Sequence, residues 1–270
     1  MKTTLLSAAA VLALAISAPA QAIVVVDSAN ATDLANAIVG SGVTISNAVL
    51  SGTAVAGAGT FSGGAGSVGF DKGIVLNTGT TACIPGPNNQ NSCTGGGASA
   101  SLKFDFTSDS GSVFFKYVFA SEEYTQFAPS SFNDTFQLLL NGTNIALLPG
   151  NNGLVQINNV NCLTNSQFYR NNKDGEANQP ASCVNQNLDI QYDGLTVVLT
   201  AGASLLAGIN TFEFFITDVG DSSLDSGVFI QAGSFSGVDP NVVPEPGSLA
   251  LVGLALAGGA LLRRRQFAKV

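Results

Sequence analysis

Short apolar runs separated by turn residues recur along most of this chain, and that rhythm restricts the fold more than any other feature. Leu102, Phe104 and Phe106 alternate with Lys103 and Asp105; Phe212, Phe214 and Ile216 alternate with Glu213 and Phe215. A period of two places one set of side chains on one face of a strand. Gly73 to Gly79 is an apolar run between glycines, and Val113 to Phe119 is aromatic and β-branched. Phe136 to Leu140 meets Ile145 to Leu148 across Asn141-Gly142, a dipeptide suited to the tight turn of a hairpin. Leu154 to Val160 follows, then Leu188 to Tyr192 and Leu195 to Leu199 paired around Asp193-Gly194, and Val228 to Phe235 closes the series. About ten short strands predict a mainly β chain, an antiparallel β-sandwich or jelly-roll-like domain.

Helix signals are confined to one place in the body. From Asn30 to Gly40, Asn30 or Thr32 can cap, Leu34 and Ile38 share a face, and Gly40 stops the helix. Gly52 to Gly69 reads as a glycine-rich loop with weak strands. It does not match G-x-x-x-x-G-K-[ST], so it is no phosphate cradle. Asn88 to Gly97 and Asn161 to Asn187 are polar stretches that read as exposed loops.

The two ends differ from the body. Met1 and Lys2, the apolar Leu5 to Ile16 and the small residues Ala18, Ala20 and Ala22 have the layout of a secretory signal peptide, with cleavage by signal peptidase expected after Ala22. At the other end, Pro244, Glu245 and Pro246 precede an uncharged run from Leu249 to Leu262, and Arg263, Arg264 and Arg265 follow. Fourteen helical residues reach about 21 Å, short of the roughly 30 Å hydrocarbon core. That is a marginal membrane span, with the arginines on the cytoplasmic side and the domain outside. The expected organisation is therefore residues 1–22 as signal peptide, 23–242 as the β domain, 243–266 as a sorting or anchor segment with an apolar helix over 249–262, and 267–270 as a cytoplasmic tail.

Export gives the cysteines a meaning. Cys83, Cys93, Cys162 and Cys183 are an even set in an oxidising compartment, which suggests disulfides; three pairings exist, and the local ones, Cys83–Cys93 and Cys162–Cys183, each close one polar loop. A zinc cage of all four is the rival, with poor spacing and no histidine in the chain to help.

Between Ile23 and Val242 there are five basic and 17 acidic residues, a net charge of −12. Such a body repels nucleic acid and lacks the counterion-release drive for binding it. Neutral glycans, cations or basic surfaces suit it better. Without histidine a Ser-His-Asp triad and a histidine-held catalytic zinc are impossible. With no tryptophan and four tyrosines the chain has few rings for stacking on a sugar, so no catalytic residue is assigned and the chain is not expected to be an enzyme.

Three acidic groups stand out: Glu122 and Glu123 at the end of one strand, Asn133 and Asp134 at the start of the next, and Asp218, Asp221 and Asp225 in a turn. Strand ends of a sandwich can bring such groups together. Oxygen ligands alone suit calcium, which makes it the one candidate cofactor. The alternative is that these residues form turns and cap loops through local hydrogen bonds. Phe127, Phe132 and Phe168 fall in loops and are candidate partner contacts.

Two resemblances follow. Pro244-Glu245-Pro246, the apolar segment and the arginine cluster resemble the PEP-CTERM sorting domain of Gram-negative bacteria. This implies processing by an exosortase, a membrane cysteine protease that hands its substrate to the cell surface or the extracellular polymer matrix. The stretches FASEEY (Phe119 to Tyr124), SFNDTFQLLLNG (Ser131 to Gly142), NIALLPG (Asn144 to Gly150) and DVGDSSLDSGVFIQAGSF (Asp218 to Phe235) resemble the choice-of-anchor L domain, over about Ala31 to Gly237. That resemblance implies a common body with interchangeable anchors and carries no activity. The function expected is a structural or adhesive role at the surface or in a biofilm, linked to exopolysaccharide. A calcium-dependent, lectin-like binding module is the alternative, and a secreted glycan-active enzyme comes third.

Overall fold

A computed structural model describes residues 22–53, 56–89, 98–150, 152–177, 179–221 and 223–240. Its strands are β1 (Val24–Asp27), β2 (Val43–Gly52), β3 (Ala58–Ser62), β4 (Gly73–Asn77), β5 (Ser99–Ser108), β6 (Ser112–Ser121), β7 (Thr135–Leu140), β8 (Thr143–Asn144), β9 (Tyr169–Asn171), β10 (Gly194–Thr196), β11 (Leu199–Ser204), β12 (Asn210–Thr217) and β13 (Ser226–Gln231). One helix, α1 (Ala31–Ile38), packs Leu34, Ala35 and Ile38 into the core. Its first turn is capped by Asn30, whose Oδ1 accepts from the Thr32 and Asp33 amides at 3.1 and 3.2 Å.

All strand pairs are antiparallel and fall into two sheets. The larger runs β1-β3-β4-β13-β6-β10-β9, with β11 sharing the far edge of β6; the smaller runs β2-β5-β12-β7-β8. Phe104, Phe106, Phe212, Phe214, Phe136 and Leu138 of the small sheet face Phe115, Tyr117, Phe119, Leu76, Val228 and Ile230 of the large one, forming one core between them. The phenylalanines interlock largely edge to face, as in Phe115–Phe212 (5.3 Å, 83°) and Phe106–Phe235 (5.1 Å, 76°). The chain is thus the antiparallel β-sandwich that its alternation predicts.

The outer faces of the two sheets differ, and the sequence pattern reflects it. In β12 burial alternates strictly, because its outer face meets solvent. In β4 every residue is buried. Val75, Val118, Ala120 and Phe229 on the outside of the large sheet are covered by Val68, Phe70, Ile84, Leu188, Ile190 and Tyr192 from loops, giving a second core. A strand buried on both faces reads as a continuous apolar run, as Gly73 to Gly79 does.

Several expected elements change on folding. The Asn141-Gly142 hairpin forms, but its return strand is only β8; Leu147 and Leu154 then make a single bridge. Leu154 to Val160 is not a strand: Gln156 bridges Thr135, Leu154 is exposed, and Val155, Ile157 and Val160 fill the core from a turn. No hairpin closes at Asp193-Gly194. β10 instead pairs with β9 and β6, and Leu188, Ile190 and Tyr192 lie on the outer core as cover. The glycine-rich stretch contains β3, paired with β1 and β4. The polar 161–187 loop contributes β9 and is joined by a disulfide between Cys162 and Cys183, Cα atoms 5.6 Å apart. Cys83 is disulfide-bonded as well, while its expected partner Cys93 lies outside the described residues.

Candidate functional site: buried acids at one end of the sandwich

Five strand ends meet at one edge. β4 ends at Asn77 and continues into Thr78 and Gly79; β6 ends at Ser121 and continues into Glu122 and Glu123; β13 starts at Ser226, after Asp225. In register Ser121 pairs with Ser226 and Asn77 with Gly227. On the small sheet β7 starts after Asp134 and β12 ends before Asp218, with Thr135 paired to Thr217. The β12–β13 connection, which carries Asp218, Asp221 and Asp225, links the two sheets.

Register decides where each acid points. One step beyond the Thr135–Thr217 pair, Asp134 and Asp218 stand opposite each other on the core-facing side of the small sheet. One step beyond Ser121–Ser226, the Glu122 amide donates to the Asp225 carbonyl at 3.0 Å, so these two acids are also opposed, on the outer side of the large sheet. Like charges directly opposite one another destabilise a sheet. Both pairs are nonetheless buried: Glu122 is 3 % exposed, Asp225 3 %, Asp134 0 % and Asp218 8 %, and neighbouring Glu123 is 1 %. Asp221 is exposed.

Asp134 is the best held of them. Its Oδ1 accepts from the Val219 amide at 2.9 Å and its Oδ2 from Ser226 Oγ at 2.6 Å, tying the small sheet to the large one. Ser226 is anchored in turn by Thr78, whose Oγ1 accepts from the Ser226 amide at 2.9 Å. Asp134 acts on the opposed Asp218 carboxyl and raises its affinity for a proton; close carboxylates repel unless a proton or a cation intervenes. The remaining oxygens find no partner: Glu122 Oε2, Glu123 Oε2, Asp218 Oδ1 and Asp225 Oδ2 are buried without a hydrogen bond, as is the amide oxygen of Asn77.

The electrostatics follow from this placement. Burial, then repulsion from Asp134, Asp221 and Asp218, pushes Glu123 up to about 9. Burial, then Asp134 and Asp221, takes Asp218 to about 8. Burial with Asp225 and Asp193 raises Glu122 to about 8, and burial with Asp134 raises Asp225 to about 7. Asp134 reaches only about 6, because the Ser226 and Val219 hydrogen bonds oppose the effect of burial. As the side chains stand, no three His, Cys, Asp or Glu groups among the described residues are close enough together to hold a metal ion.

The structure thus gathers all six predicted acids at one end, in two groups: Glu123, Asp134, Asp218 and Asp221 on the inner side, Glu122 and Asp225 on the outer. Local turn chemistry accounts for part of this; Asp221 Oδ1 accepts from the Ser223 amide at 2.9 Å, as a turn-forming aspartate does. Sequence reasoning missed the surroundings. Asn77 lies opposite Gly227, over which the Tyr192 hydroxyl sits. Asp193, buried beside Glu122, is paired with Lys173 at 2.9 Å and accepts from Asn88 Nδ2 at 2.9 Å. The Asn-Thr-Gly that follows an apolar run was the available signal for Asn77. Lys173 and Asp193 are 20 residues apart and give none.

The three loop phenylalanines are half-buried. Phe127 and Phe132 pack edge to face at 5.3 Å, and Phe168 packs against the main core. Open cavities lie elsewhere. One of about 310 Å³ beside the Cys162–Cys183 disulfide is lined by Ser166, Tyr169, Asn171, Ser182 and Gln186. One of about 180 Å³ is lined by Asn88, Asn172, Asn185, Asn187 and Asp189. Among the described residues no helix is long and apolar enough to cross a membrane. The expected signal segment, the apolar helix over 249–262 and the residues Pro244, Glu245, Pro246, Arg263, Arg264 and Arg265 lie outside the described residues.

Two antiparallel sheets around a phenylalanine core, a disulfide at the neck of a polar loop and acids buried at one end define a disulfide-bonded β-sandwich domain. The chain belongs to the choice-of-anchor L domain family, whose model matches residues 23–236. Residues 242–265 match the PEP-CTERM protein-sorting motif. Neither curated proteins nor solved structures gave a match to this chain. The sorting motif marks an exported protein, anchored in the membrane transiently and processed by an exosortase.

Proposed function

We propose that the sorted domain is a structural or adhesive component of the cell surface or biofilm matrix, that it associates with exopolysaccharide or with neighbouring cells, and that it is not an enzyme. The observation that carries this reading is one β-sandwich domain family matched over residues 23–236 and joined to a sorting motif at 242–265. The arrangement of the acids supports it. Glu122, Glu123, Asp134, Asp218 and Asp225 are sealed at strand ends, and the cavity of about 310 Å³ is lined by Ser, Asn, Gln and Tyr with no carboxylate among them; Asp174 and Glu176 line a separate open cavity of about 370 Å³ beside the same disulfide loop. A glycosidase needs two acids facing a substrate.

A second reading is a calcium-dependent, lectin-like module. It is favoured by the amide-lined cavity of about 180 Å³, where Asn88, Asn172, Asn185 and Asn187 offer donors and acceptors suited to sugar hydroxyls. Cell fractionation with and without the exosortase, together with floc or biofilm formation after deletion of the gene, tests the first reading. Association of the protein with the matrix and loss of the matrix phenotype support it; a protein that stays soluble and whose deletion leaves the matrix intact contradicts it. Glycan-array binding by the purified protein would favour the second.

A further inference from the structure

We infer that the tip of the β11–β12 connection, Leu206 to Ile209, contacts the surface of the lipid bilayer while the chain is held by its sorting segment, and that this contact sets the orientation of the sandwich on the membrane. The inference rests on the transient anchoring that the sorting motif marks, and it is independent of what the released domain binds.

Three observations carry it. First, the tip is apolar and open. Leu206 is 66 % and Ile209 70 % exposed, and Ala207 and Gly208 between them are exposed as well. Removing aliphatic surface of this kind from water is favourable. Secondly, the tip is braced from within. The side chain of Asn210, 1 % exposed, accepts from the Leu206 amide at 3.0 Å and donates to the Leu206 and Gly208 carbonyls at 2.9 and 3.2 Å. Asn141 Nδ2 in turn donates to Asn210 Oδ1 at 2.8 Å. Backbone groups without a partner are costly in an apolar medium, and these keep theirs when water leaves. Thirdly, the tip and the route to the anchor leave the sandwich at the same end. β11 ends at Ser204, paired with Ser112 at the start of β6, and the Leu205 amide donates to the Gly111 carbonyl at 2.9 Å. Phe114 pairs with Gly202 of β11 on one side and bridges Ser236 on the other, which places the two about 10 Å apart. Gly237 then lies against Ser110. β6 carries the buried acids at its other end, roughly 30 Å away. From Ser236 to the apolar run that starts at Leu249 the chain spans at most about 45 Å, so a bilayer holding that run is within reach of the tip. The acidic Asp109 and Asp239 flank this end, so the contact is apolar and not an attraction to anionic lipid.

The chain has no tryptophan, so a single one placed at the tip reports on it alone. The full chain, purified after export from cells without the exosortase so that residues 242–265 are retained, is reconstituted into phosphatidylcholine vesicles containing brominated phosphatidylcholine, a contact quencher of tryptophan. Flotation establishes that the chain is bound to the vesicles. A tip seated about 5–10 Å into the headgroup boundary brings Leu206→Trp against the bromines, so its emission should fall about twofold or more and shift to the blue. Ser223→Trp, beside the acids at the far end, should show neither change. Ile209→Ser added to Leu206→Trp should remove most of the quenching and leave Tm unmoved, because Ile209 is exposed. Unquenched Leu206→Trp in a chain that floats overturns the proposal, and so does equal quenching of the Leu206 and Ser223 variants. A blue shift without quenching that grows with protein concentration assigns the tip to a second copy of the chain and overturns it as well. A chain that does not float contradicts the anchoring and removes the proposal with it. Matrix association of the released domain stands or falls on its own test.

Discussion

Asp134 and Asp218 face each other across the first rung of the β7–β12 ladder, one step beyond Thr135 and Thr217, and both are buried. Opposed like charges weaken a sheet unless something neutralises them. Here that something is a proton. Asp218 is held at about 8 by burial and by Asp134, well above the ordinary aspartate value. A raised carboxyl stabilises the fold below its unfolded value and loses that contribution as pH climbs through its folded one. Tm should therefore fall as pH rises from about 4 to about 8. Asp218→Asn, which keeps a donor toward Asp134, should flatten that fall and melt higher than wild type at the alkaline end, by ~1 kcal/mol. Melting curves across that range check it.

Gly79 lies under the Asp225 carboxylate so closely that an added Cβ would overlap it. Gly79→Ala should therefore displace Asp225 and open the strand end, at a cost of about 1–3 kcal/mol. Gly111, around which a Cβ meets nothing within 4 Å, is the control: Gly111→Ala should leave stability within about 0.5 kcal/mol. Chemical denaturation of the two variants measures both.

Lys173 compensates Asp193, which is 3 % exposed and sits beside Glu122. Removing one partner leaves a buried charge uncompensated. The lysine side chain is itself 24 % exposed, so solvent screens part of the pair. Lys173→Met should cost about 1–3 kcal/mol, and the double variant Lys173→Met/Asp193→Asn should recover part of it. Urea unfolding of the double-mutant cycle decides this.

The Cys162–Cys183 disulfide closes a loop of sequence separation 21 that includes β9. Chain-entropy arguments put such a closure at about 3 kcal/mol. Cys162→Ala/Cys183→Ala should lose about that much, with hydrogen exchange rising first in β9 and β10, since among the described residues β9 is an edge strand paired with β10 alone. Uniform exchange across the sandwich would contradict this.

The strongly alternating strands β5 and β12 were legible because one face of each meets solvent, so burial imprints the sequence with period two. β4 was legible as a continuous run because both its faces are covered. The return arm after Asn141-Gly142 was not: Leu148, Val155 and Ile157 are as apolar as strand residues, yet they fill the core from outside any strand. The Asp193-Gly194 turn misled for a related reason. Its flanking apolar residues serve two cores, and β10 pairs with the distant β9 and β6. At the candidate site the acids could be named from strand ends alone. That Asp134 opposes Asp218 and Glu122 opposes Asp225 depends on register across long loops, which local pattern does not encode.

Mass spectrometry of the mature protein from native cells tests the central claim, that this sandwich works outside the inner membrane after sorting, most directly. The account expects an N-terminus at Ile23, a C-terminus near Pro244–Pro246 and oxidised cysteines, with Cys162 joined to Cys183. A cytosolic, full-length chain with reduced thiols would contradict it.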